Sequence, residues 1–237
     1  MKFSRQITVG FAVAALSVAV ASSAQAQQPY VGRFDLYGGF ADINAPALKL
    51  NQPGYHIQAG FNTRRWFTTG FDYSHATGDE LLSPDLLIAS LKTQVTTATA
   101  QLIAAHLLPA GYVLKVPTHA ITDTFAFGPQ YVNRHYAKTT IFLRPSLGAI
   151  RETAIPTPYD DFSAIVVDQL APAGYKTDWT GFYGVGGGID YAVTKHFGAR
   201  MQADAVYNHP FNDLLASGRM TYRFSVGPSV HFGKNIQ

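Results

Sequence analysis

The sequence predicts an all-β protein, an eight-stranded antiparallel transmembrane β-barrel with a helix in its second long outer loop. Three observations predict it. Apolar and polar residues alternate with period two over segments of about 11–13 residues, where strands of globular sheets average about 5–6 and membrane-spanning strands need about 9–11. Aromatic residues bracket the apolar faces, as at Phe197/Tyr207 and Trp179/Tyr191, the pattern of interfacial girdles. Short and long connections also take turns along the chain, as they do in barrels with short periplasmic turns and longer outer loops.

The first 26 residues are expected to be a secretory signal. Lys2 and Arg5 form a positive start, Ile7 to Ala21 is an apolar run, and Ala24-Gln25-Ala26 is a cleavage pattern. The run is too short to span a bilayer as a helix. Residues 27–237 then form the barrel domain, of a length suited to one β domain. Of the 18 Lys and Arg, two leave with the signal, so 16 face 15 Asp and Glu. That near-neutral balance gives no reason to expect a nucleic-acid partner. The sequence contains no cysteine, so stability must come from packing or from a continuous hydrogen-bonded sheet. No later segment is apolar enough for a spanning helix. In lipid only a helix or a closed barrel satisfies every backbone group, so membrane residence requires the barrel.

Eight segments carry the alternation: Gly32–Ala41, Gly54–Asn62, Trp66–His75, Ala120–Asn133, Thr139–Glu152, Trp179–Tyr191, Phe197–Tyr207 and Met220–Phe232. In the seventh, Phe197, Ala199, Met201, Ala203, Ala205 and Tyr207 share one face, opposite Arg200, Gln202 and Asp204. Short connections join segments two and three, four and five, and six and seven. Four longer stretches, Asp42–Pro53, Ala76–His119, Thr153–Asp178 and Asn208–Gly218, become the outer loops. Pro129, Pro145 and Pro228 fall inside segments and are read as local bulges facing lipid, since proline donates nothing to a ladder.

Loop two holds the helix, at about residues 84–108. Ser83-Pro84-Asp85 reads as N-cap, first-turn proline and early acid. Leu87, Leu91, Val95, Ala98, Leu102 and Ala105 follow at helical spacing, and Pro109-Ala110-Gly111 ends the run. The stripe is expected to pack against the barrel mouth or loop three, as apolar stripes generally do. "LLPAGYVLK" ends loop two much as "LAPAGYK" ends loop three, and "QPGY" closes loop one in shorter form.

The run "GVGGGIDYAVTKHF" at Gly184–Phe197 is not a nucleotide loop. Ile189 stands where the dinucleotide fingerprint needs glycine, and no Gly-Lys-Ser/Thr follows. Gly184, Gly186 and Gly188 fall on one face of segment six beside Asp190, where missing side chains leave room for bulkier neighbours inside a small barrel. The inward positions gather Arg33, Asp35, Asp72, Arg144, Asp190, Arg200, Asp204, Arg219 and Arg223, with His56, Gln58 and His231. An ion-selective pore is one reading. Eight strands leave a lumen just wide enough for side chains, and buried charges must pair, which favours a plug.

"FAFGPQYVNRHYAKTTIFLRPSLGAIRE", "GVGGGIDYAVTKHFGARMQADAVY" and "RFSVGPSVHFG" resemble the outer-membrane β-barrel domain family related to the transmembrane domain of outer-membrane protein A. The resemblance covers segments four to eight and implies an eight-stranded barrel in the cell outer membrane. It implies no shared activity. "GKNIQ" follows Phe232 where the family ends on an aromatic residue.

An enzyme acting on lipids is the alternative class. It needs a nucleophile beside a base, but Ser74 and His75 point to opposite faces of a strand, and the H-x-S-N pattern of lipid A deacylases is absent. Asp160, Asp161 and Asp168 lack EF-hand spacing, and no zinc motif occurs. The expectation is therefore no catalytic residue, no cofactor and no metal. It is a monomer set in outer-membrane lipid and lipopolysaccharide, with an extracellular partner met through loop two.

Overall fold

The computed structural model describes Gln28 and residues 30–236; the expected signal at 1–26 lies outside them. Eight antiparallel strands close into a barrel, each paired with its sequence neighbours and the last with the first. They are β1 Phe34–Ala45, β2 Leu50–Arg64, β3 Phe67–Leu82, β4 Val116–Asn133, β5 Thr139–Pro156, β6 Lys176–Ala192, β7 Phe197–Asn208 and β8 Arg219–Phe232. Burial alternates along every strand, most cleanly in β7, where each second residue is buried.

The buried positions are polar and the exposed ones apolar, the reverse of a soluble protein. Leu36, Ile57, Leu143, Val185 and Val226 stand on the outside, each more than two fifths exposed. Water would penalise such a wall and hydrocarbon would not. Two girdles of rings bound it. At one end Phe34 contacts Phe61 and Phe232, and Trp66 stacks on Tyr131. At the other Tyr55 meets Tyr73, Phe125 stacks on Trp179, and Tyr183 meets Tyr207. On that upper girdle Asp123 accepts from the Tyr73 hydroxyl at 2.7 Å and contacts His75 Nδ1 at 2.8 Å, where side chains reach the wet headgroup level. The chain is an integral membrane barrel.

The strands outrun the alternating segments at their outer ends. β3 continues to Leu82 and β5 to Pro156, because above the upper girdle the outward face turns polar and the lipid signature stops while the ladder continues. Loop one shrinks accordingly. Asp42–Ala45 and Leu50–Pro53 pair with each other, leaving a turn at Pro46–Lys49 with Lys49 at φ 56°. "QPGY" thus belongs to a strand rather than a loop end. Gly111 and Gly174 do match each other, both in the left-handed region at φ 83° and 76°, where glycine carries no Cβ penalty.

The three prolines point outward without making bulges. Pairing of β4 with β5 lapses between Ala126↔Gly148 and Tyr131↔Leu143 and resumes in the same register. That register sets Pro129 directly across from Pro145. Pairing of β1 with β8 lapses in the same way beside Pro228, between Tyr37↔Ser229 and Phe40↔Val226. Proline lacks the N–H a rung needs, so rungs are lost, but no residue is inserted to shift the register. The shift that does occur lies between Asn62 and Arg64 in the pairing of β2 with β3.

Loops two and three supply helices over the outer mouth. Ser83-Pro84-Asp85 opens only a 3-10 turn, Pro84–Leu86. The chain then runs extended through Leu87, which bridges to Leu215 in loop four. Helix α1, Ala89–Ala104, starts after that without a side-chain cap. Leu87 and Ala105 therefore lie outside the helix. The packed stripe is Val95, Ala98 and Leu102, against Leu114, Val116, Phe162 and Val167. Helix α2, Asp161–Leu170, was not expected. Asp160 accepts from the Ser163 backbone at 2.6 Å and donates its own N–H to the Ser163 hydroxyl at 3.0 Å, a capping box.

Leu143 sits between the girdles and faces lipid. Leu143→Arg should destabilise the refolded barrel by about 2–4 kcal/mol, measured by urea titration in lipid vesicles with heat-modifiable gel migration reporting the folded form. An unchanged midpoint would place this face away from hydrocarbon.

Candidate functional site in the barrel lumen

The lumen is built in layers because every second residue of each strand points inward. The middle layer joins β3, β5, β7 and β8. Arg223 reaches Asp204 Oδ2 with Nη2 at 2.8 Å and Asp72 Oδ1 with Nη1 at 3.3 Å. Arg144 donates to Asp204 Oδ1 from Nη2 at 3.0 Å and contacts Asp72 as well. Two guanidinium groups and two carboxylates thus alternate in a closed quartet, its formal charges balanced. Ser146 and Gln202 add bonds to Asp204 at 3.0 and 2.9 Å.

The glycine run makes this layer possible. A Cβ on Gly186 would sit 1.8 Å from Asp204 Oδ1 and 3.1 Å from Ser146 Oγ. A Cβ on Gly188 would sit 2.7 Å from the Phe142 ring. The glycines hold open the space that the charged side chains and one ring fill.

Below it, Arg200 bonds Asp190 Oδ2 at 2.8 Å, Asp35 Oδ1 at 3.3 Å and Gln58 Oε1 at 3.1 Å. Its guanidinium lies over the Tyr37 and Phe142 rings. Ser229 donates to Asp190 at 2.9 Å. The short-turn mouth is closed by Arg134, which donates to Asn62 at 2.7 Å and to the Arg65 carbonyl, and by the segments flanking the barrel: Val31 donates to Asn235, and Ile236 donates to Val31. Above the quartet Arg219 pairs with Glu152.

Arg33 does not join the network. It precedes β1, is exposed, and lies over the Phe61 ring at 5.5 Å; face parity holds only inside a strand, and the strand begins at Phe34. The other eight expected residues are buried in the lumen. Glu152, on the inward parity of Arg144, and Arg134, in a turn, were missed.

A serine, histidine and acid do meet, but not at the outer rim. Ser225 Oγ is 3.0 Å from His56 Nδ1, and His56 Nε2 is 3.7 Å from Asp72 Oδ2. All three are buried at mid-barrel, and Asp72 is engaged by two arginines. No substrate carbonyl can approach that serine, so the set packs the lumen rather than forming an accessible nucleophile. Ser74 points inward and His75 outward, as face parity requires. Among the described residues no group of histidines and acids is arranged to hold a metal ion.

No protein-family model matches the chain, and no curated protein does. Among solved structures it is similar to Neisserial surface protein A, at 12% identity and a TM-score of 0.48, covering 84% of this chain and 96% of that one. It is similar to Ail, the attachment invasion locus protein of Yersinia pestis, solved with the heparin analogue sucrose octasulfate, at 12% identity and 0.43, covering 84% and 96%. It is also similar to the outer membrane protein OprG from Pseudomonas aeruginosa, at 11% and 0.45, covering 89% and 100%. These likenesses concern the barrel alone.

Asp204→Ala should cost about 3–5 kcal/mol, because two buried guanidinium groups lose their partner. Gly186→Ala should destabilise in the same direction by displacing the Asp204 carboxylate. Both are read from urea midpoints. Loss of less than about 1 kcal/mol in Asp204→Ala, at the level of an exposed pair, would show that the quartet is solvated.

Proposed function

We propose that this is a non-enzymatic outer-membrane barrel, delivered by a cleaved signal peptide, that acts as a monomer through its outer loops, contacting envelope components or an extracellular partner. The observation that carries this reading is the contrast between the two ends. The lumen is filled by paired charges, while the outer loops form a cap with its own apolar core and exposed apolar residues on its surface. Leu107, Val113, Tyr159, Ile165 and Tyr175 are each more than half exposed there. A barrel wall needs none of them, and residues of this kind supply contact area at interfaces.

The cap is stiff enough to present them. Tyr112 of loop two donates to Asp160 at 2.7 Å and contacts Tyr159 at 3.1 Å. Loop two is pinned to loop four by Ile88 N–H to the Leu214 carbonyl at 2.8 Å and Ala216 N–H to the Leu86 carbonyl at 3.0 Å. Partial burial raises the Asp160 carboxyl pKa, but the bonds from Tyr112 and Ser163 outweigh it and leave the group below its ordinary value. A carboxyl depressed by folding lends stability above its unfolded pKa and withdraws it as pH falls through the folded one.

Three outcomes follow. Affinity capture with the intact protein should retain a partner that is lost when residues 84–108 are removed, with the barrel still heat-modifiable; equal retention would move the contact to another loop. Planar-bilayer recordings should show no large steady conductance, and porin-like currents from the unaltered protein would overturn the plugged lumen. Protease cleavage within loops two and three should rise below about pH 4, the ordinary carboxylate range, and at neutral pH in Val95→Asp, which buries a carboxylate in the cap core. Flat pH dependence would remove Asp160 as a clasp.

A further inference from the structure

Between the ion-paired lumen and the cap lies a space that neither the wall nor the plug explains. A cavity of about 90 Å³ opens under the loops, its upper walls set by Leu87, Leu114, Val167, Leu170, Phe211 and Leu215. Its polar lining is Glu80 and Thr118, which face each other across β3 and β4, with Ser83 and Lys176. A second space of about 30 Å³ in the upper lumen is lined by Glu152, Asn208 and Arg219. Ile43, Ala45, Ile150, Phe182 and Val206 also line this second space, so its polar groups stand among apolar walls.

The polar side chains there are under-bonded. Glu80 is 9% exposed, and its Oε2 has no hydrogen-bond partner among the described residues. The same holds for Glu152 Oε1, Asn208 Oδ1, and Nε and Nη1 of Arg219. Five of the eight such atoms found among the described side chains fall in this one stretch of the barrel. Buried polar groups without partners are costly, and their clustering marks a place where a partner enters. The mixture of sites is selective. Three acceptors and two donors suit a head that both donates and accepts. A carboxylate head would meet Arg219, while Lys176 on the chamber wall is already paired with Asp213, and it would stand against Glu80 and Glu152. A purely apolar molecule would leave all five atoms unsatisfied.

We propose that the outer end of the barrel is a binding site for a small amphiphile with a hydroxyl head, its apolar part under the loops and its hydroxyl between Glu80 and the Arg219–Glu152 pair. Such a pocket, mostly apolar with a few converging polar groups, is the usual form of a small-molecule site.

The test uses the full barrel in lipid nanodiscs with methyl-labelled Leu and Val, titrated with hexan-1-ol, hexane or hexanoate and followed by NMR. Hexan-1-ol should shift the Leu87, Val167 and Leu215 methyls saturably. The lipid-facing Leu143 and Val226 methyls should drift without saturation as the alcohol partitions into the bilayer. Hexane and hexanoate should bind at least about tenfold more weakly, the scale of one lost buried hydrogen bond. Glu80→Leu should weaken hexan-1-ol by a similar factor, and Leu214→Trp should abolish saturation by filling the chamber. Equal response to all three probes, tighter binding of hexanoate, or no saturable shift in the unaltered protein would overturn the proposal. The probe comparison needs no variant, so a misfolded substitution leaves the test intact.

Discussion

The carboxylate of Asp204 is the point on which the lumen depends. It accepts from Arg144, Ser146, Gln202 and Arg223, side chains that reach it from three strands. A bare carboxylate at the centre of a membrane protein would be prohibitive. Ringed by donors it becomes the part around which β5, β7 and β8 are drawn together. The arrangement also dictates the neighbouring sequence. β6 lies between β5 and β7 and must pass Asp204 without a side chain, so Gly186 is an electrostatic requirement expressed as a steric one. The same chain of cause runs outward. Between the girdles the charges all lie inside, which leaves an apolar face for lipid.

Much of this was legible in the sequence, because period two assigns each strand residue to a face without knowledge of any partner. Asp72, Arg144, Arg200 and Arg223 take the inward parity of their strands, and all four are buried. The pairings were not legible. Arg223 and Asp72 meet across the lumen from β8 and β3, and no local pattern encodes that closure. Strand ends were also hidden. The apolar alternation reports contact with lipid, whereas the hydrogen-bonded ladder continues beyond it, so loop one was read too long and Glu152 was left at an edge. Helix α2 had a usable signal in Asp160 and Ser163, spaced as a capping box, but with only 10 residues it offered too short a stripe to stand out. In loop two the proline-led start was real as a turn, yet the helix waits until Ala89 because Leu87 is committed to a bridge with loop four.

The two ends of the molecule answer to different solvents. At one end the turns are short and the segments flanking the barrel, Val31 and Asn235–Ile236, bond to each other across the mouth. At the outer end each loop leans on another: α1 on α2 through Val95 and Phe162, Tyr112 on Asp160, and Leu87 on Leu215. The cap therefore has cohesion of its own, separate from the sheet that carries it. Sequence changes confined to its outer surface can alter what it touches without threatening the barrel, because the barrel's hydrogen bonds and ion pairs lie elsewhere.

The facing prolines on β4 and β5 give the barrel a mechanical anisotropy. A closed ladder resists deformation equally around its circumference, but here rungs are missing between β4 and β5, and again between β1 and β8 beside Pro228, while the strands stay in register across both gaps. Arg144 projects inward next to Pro145 and is anchored to β3 and β7 on either side. It works as a cross-brace behind the weakened panel. The wall's stiffness at that height is then supplied from within the lumen rather than along the sheet, and loosening the brace should let the barrel flex at the gap between β4 and β5.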